Sequence, residues 1–66
     1  MLVYVQCFNG DKEISVAINP NHVVAIIEIE ANDLIKYNSR ILTVTGVEYH
    51  STENYIDLVG RFNSSL

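Results

Sequence analysis

The sequence predicts an α+β fold, a four- to five-stranded antiparallel β-sheet or small partly open barrel closed by one C-terminal helix. Three observations carry this. Short runs of β-branched, aromatic and apolar residues recur from Leu2 to His50, each ended by turn-forming residues. Asn9-Gly10 lies between the first two runs, and Asn-Gly is a strong hairpin signal because both residues tolerate positive φ. After Ser51 the apolar spacing changes from two to that of a helix.

Leu2 to Phe8 reads as the first strand. The returning strand, Glu13 to Ile18, alternates, with Ile14, Val16 and Ile18 on one face and Glu13, Ser15 and Ala17 on the other. Asn19-Pro20-Asn21-His22 forces a turn, since proline presets φ and asparagine side chains mimic backbone turns. Val23 to Glu30 is expected as a third strand, apolar on both faces at its start and wet on one at its end. Residues 31–40 show no period and read as a long connection, with Leu34 and Ile35 folding back onto the core. Ile41 to Thr45 and Val47 to His50 form two further strands around a turn at Gly46. Ser51 or Thr52 is expected to cap the helix, with Glu53 in its first turn. Thr52, Tyr55, Ile56, Val59 and Phe62 form its apolar stripe, and Asp57 and Arg61 stand at the spacing of an i,i+4 ion pair.

With 66 residues, the chain makes one domain, 1–66. A chain of this size buries only about 60% of its unfolded surface, so a lone core is marginal. One cysteine excludes an internal disulfide, and one Cys with two His at no recognised ligand spacing argues against zinc. Self-association is the remaining source of stability, in keeping with 48% hydrophobic residues and only 18% charged. A net charge of −4 disfavours nucleic-acid binding, which needs a basic face. No apolar run reaches the roughly 20 residues that span a bilayer, so no membrane partner is expected. A lone thiol and no signal-peptide pattern near Met1 lead to an expected cytoplasmic location.

The order Phe8-Asn9-Gly10, Ile18-Asn19, Val23-Val24-Ala25-Ile26, Ile41-Leu42-Thr43-Val44, Gly46, Tyr49 and Ser51 through Val59 resembles the small FlbD-type family found with flagellar and swarming genes. The resemblance implies a Gly-turn hairpin, an apolar strand, a second Gly-turn hairpin and a terminal helix, with no defined chemistry. The 31–40 connection is longer here than in that family. A fainter likeness is to half of a LytTR-type DNA-binding domain, without its basic reading face. Phage-encoded small proteins share this texture.

No catalytic site is expected. Cys7 with His22 or His50 could form a thiolate–imidazole pair, but Cys7 sits mid-strand with nothing to lower its pKa, so it reads as a small buried hydrophobe. His22, Glu28, Glu30, Asp33 and His50 carry metal-ligand atoms without a fixed spacing, and solvated acids on a strand edge account for Glu28 and Glu30. Neither metal nor cofactor is expected. The segment with most chemical promise is Lys36-Tyr37-Asn38-Ser39-Arg40, where two cations flank an aromatic ring and small donors. Lys36, Tyr37, Asn38 and Arg40 are the candidate ligand- or partner-binding residues, suited to an anion with a base stacked on Tyr37. The tyrosines Tyr4, Tyr37, Tyr49 and Tyr55 suit a subunit interface. The expected function is that of a non-catalytic regulatory module acting by protein–protein contact, as a homo-oligomer. The alternatives are a phage-type sponge or inhibitor for a small anionic ligand or host protein, and a transcription regulator.

Overall fold

A computed structural model describes residues 1–30 and 38–65. Strands β1 (Val3–Asn9), β2 (Lys12–Ile18), β3 (Val23–Glu28), β4 (Ser39–Thr43) and β5 (Glu48–Ser51) precede helix α1 (Tyr55–Ser64). All neighbours are antiparallel and the sheet order is β2-β1-β5-β4-β3. Leu34 and Ile35, expected to return to the core, lie outside the described residues.

The first hairpin forms as its sequence dictates. Seven residue pairs run from Val3↔Ile18 to Asn9↔Lys12, and Gly10 closes the turn at φ +64°. The second tight turn uses Gly46 at φ +86°, where its N–H bonds the Thr43 carbonyl at 3.0 Å. Between β2 and β3, Asn19 caps a short 3-10 turn, Pro20–His22, its side chain accepting the Asn21 N–H.

This turn has a geometric consequence. Consecutive strands β2 and β3 lie at opposite edges of the sheet. Four strand spacings would separate them by roughly 19 Å in a flat sheet. The chain from Ile18 to Val23 spans at most roughly 17 Å fully extended, and a 3-10 turn is shorter still. The sheet must therefore curl, and Val44 N–H fixes the turn to the far hairpin through the His22 carbonyl at 2.8 Å.

The concave face holds the core of Val3, Val5, Cys7, Ile18, Ile41, Leu58 and Phe62. Val16, Val23, Ile26 and Tyr49 pack against it. Burial fades along β2 from Ile18 through Val16 to Ile14, so the tip of the first hairpin projects beyond the core.

Five sequence expectations change. Strand β3 ends at Glu28 and is not buried on both faces, since Val24 is 59% exposed at an irregularity between Val23 and Ala25. The alternation of a normal strand is broken there by one extra residue. Ser39 and Arg40 leave the expected connection and begin β4, because they pair with Ser51 and His50. The helix starts later than expected, with Asn54 as N-cap accepting Ile56 N–H at 2.8 Å and Asp57 N–H at 3.4 Å. Ser51 is held in β5 by donating to the Gln6 carbonyl and accepts the Glu53 N–H, so it caps a pre-helical turn instead. The later start rotates the stripe: Leu58 and Phe62 are buried, whereas Ile56 faces solvent. Arg61 turns away from Asp57 to the Tyr4 carbonyl, at 2.8 Å, and to Glu53.

That last change explains how β1 is completed. Strand β5 meets β1 only at Cys7↔Ser51 and then departs. The backbone of Gln6 and Tyr4 would be left open on that side. Instead Glu53 Oε2 accepts Gln6 N–H at 2.9 Å, Arg61 Nη1 donates to Tyr4, and the two side chains pair with each other. An ion pair thus stands in for the missing strand. Arg61→Met should keep the alkyl packing but strip both bonds, lowering stability by about 1–2 kcal/mol in urea unfolding.

Candidate functional site

The predicted segment is divided by the fold. Lys36 and Tyr37 lie outside the described residues. Asn38 is a junction: its N–H bonds the Ser51 carbonyl at 2.8 Å, its carbonyl accepts Ile29 N–H at 3.1 Å, and its side-chain amide donates to Thr52 at 2.6 Å. Arg40 sits within β4, where Nη1 lies 3.4 Å from Glu48 Oε2 and Nε is buried without an acceptor.

Cys7 is almost fully buried, one strand from Ser51. Desolvation, and secondly the charge of Glu53, push its thiol up to about 11 from the ordinary value near 9. A thiol so placed is neutral and inert at physiological pH. The hydroxyls in the same buried row are occupied by the fold: Ser51 bonds Gln6, and Ser39 donates to the Glu53 carbonyl at 3.1 Å. Among the described residues, no three His, Cys, Asp or Glu side chains gather to hold a metal ion.

Two surface features were not foreseen from sequence. The first is an open groove of about 280 Å³ between β3 and α1, walled by Pro20, Val23, Val24, Ile26, Tyr55, Val59 and Phe62. Apolar side chains form most of its walls, while Asn63, the Tyr55 hydroxyl and backbone groups make its exposed lining as much polar as apolar, so it suits an amphipathic side chain. Its sequence signal was present in the Val23-Val24 pair, which the irregularity turns outward. The second is the outer edge of β2, which among the described residues pairs only with β1.

Because the native thiol holds its proton to about 11 and an unfolded one only to near 9, Cys7 adds stability that is complete below pH 9 and is lost as pH rises from 9 to 11. The stability gap between the wild type and Cys7→Ala should accordingly narrow across that window in denaturant titrations.

Comparison of the chain with protein-family models, with curated proteins and with solved structures finds no match.

Proposed function

We propose that this protein is a non-catalytic interaction module that works by protein–protein contact and associates with itself. The observation that carries the reading is the exposed apolar surface: Tyr4 at 68%, Val24 at 59%, Val44 at 61% and Ile56 at 71%, beside a buried core of seven among the described residues. Large apolar side chains left in water by so small a core favour a protein partner over a polar ligand. The order of elements is also the one that the FlbD-type resemblance calls for, and many small β-proteins share it. Light scattering coupled to size exclusion at micromolar concentration should show a dimer or larger. A monomer with a high melting temperature would overturn the reading.

One observation favours a second reading, a small anion held at Arg40. The buried Arg40 Nε has a proton to give and no acceptor, and an arginine fork can grip phosphate where lysine cannot. Glu48 competes for the same guanidinium, which places this reading second. A thermal-shift screen of nucleotides and cyclic dinucleotides should then find a stabilising ligand whose effect Arg40→Lys weakens. No shift with any anion removes this reading.

A further inference from the structure

We propose that two copies of the chain join through β2, edge to edge and antiparallel about a twofold axis at Ser15, into one continuous sheet. The inference deepens the self-association reading and rests on it.

The free hydrogen-bonding groups of β2 can be assigned from its partner. Gln6 gives its N–H to Glu53 and its carbonyl to Thr52 and Ser51, all on the side away from β2. Opposing residues Gln6 and Ser15 are thus a non-hydrogen-bonded pair, and the N–H and C=O of Ser15 point outward. By alternation, those of Glu13 and Ala17 do the same. Three donors and three acceptors stand in a row on a regular seven-residue strand without proline.

The other edge is protected. β3 carries the irregularity at Val23 and Ala25, which twists an edge away from pairing, and it borders the helix. β2 has only Lys12 and Glu13 as charges, both at one end, while Ser15 and Ala17 at its middle are small.

The register follows from charge and length. An axis at Ser15 pairs all seven residues with the second copy and sets Glu13 opposite Ala17, Lys12 opposite Ile18 and Ile14 opposite Val16. The two Glu13 carboxylates then lie roughly 13 Å apart, beyond a Debye length. An axis at Glu13 would stack them directly, which is destabilising. The chosen register also covers Ile14, 39% exposed on the projecting hairpin. A twofold join closes on itself, whereas β2 against β3 of the next copy would propagate.

Wild-type protein should be a dimer by light scattering. Ser15→Pro removes the two N–H donors at the axis and leaves the backbone bonds to β1 intact, losing only the bond that the Ser15 hydroxyl accepts from Gln6 Nε2, so it should raise the dimer dissociation constant by on the order of a hundredfold. Ser15→Lys, which puts like charges at the axis, should dissociate the dimer and be rescued by salt. Circular dichroism checks that both variants fold. In a third variant, Ser15→Cys, the two thiols face each other at about 5.5 Å between Cα atoms and should cross-link under copper–phenanthroline, while Ala17→Cys, whose copies lie roughly 13 Å apart, should not. A wild-type monomer overturns this proposal and the self-association reading together. A dimer that survives both Ser15→Pro and Ser15→Lys and fails to cross-link at Ser15→Cys overturns the β2 join alone, leaving the groove as the contact. Open-ended polymers would point to β2 against β3 and overturn it likewise.

Discussion

The backbone of β1 between Tyr4 and Gln6 has a strand on one side only, and the molecule is organised around satisfying the other. The short link from β2 to β3 curls the sheet, and β5 leaves β1 after a single residue pair. Tyr4 and Gln6 are exposed, so bonding these groups within the chain rather than to water fixes the edge in one arrangement at a net gain of about 0.5–1.5 kcal/mol per bond. Glu53 and Arg61 supply the missing donors and acceptors, one from the segment before α1 and one from its last turn. Anchoring the helix at both ends fixes its rotation. That rotation carries Leu58 and Phe62 inward and leaves Ile56 in water.

The same constraint engages the polar residues of the interior. Cys7, Ser51 and Ser39 lie side by side across β1, β5 and β4, all buried. Small side chains there allow the helix and its leading turn to approach the sheet closely. Each serine hydroxyl is bonded to backbone, and burial, with a smaller contribution from the Glu53 carboxylate that braces Gln6, raises the pKa of the neighbouring thiol. One set of short contacts thereby completes an edge, seats a helix and lies beside the buried Cys7 thiol.

The surface leaves large apolar side chains exposed. The two sheet edges are unlike: β3 is irregular and flanked by the helix, while β2 is regular and extends past the core. A chain of this size gains proportionately little from its own burial, so a second sheet or partner side chain in the β3–α1 groove would add a large fraction of its total stability.

Much of the fold was legible because it is written in local rules. Gly10 and Gly46 fix two turns through positive φ, Pro20 fixes a third, and period-two alternation sets which faces of β1 and β2 are buried. The candidate segment was legible only as a composition: two cations about a tyrosine. It did not show that Asn38 would be spent as a junction or that Arg40 would enter a strand beside Glu48. Equally hidden were the cap at Asn54, the partner of Arg61 and the outward turn of Val24. Each depends on a residue far along the chain, Gln6, Tyr4 or the β4 partners of β3, which spacing within a window cannot reveal. The sequence by itself determined turns, strand faces and the presence of one helix, because those follow from backbone sterics and nearest neighbours. Only the tertiary structure decided the register of the helix, the fate of each polar side chain and the edge left open, because those follow from how a curled sheet leaves backbone groups to be satisfied.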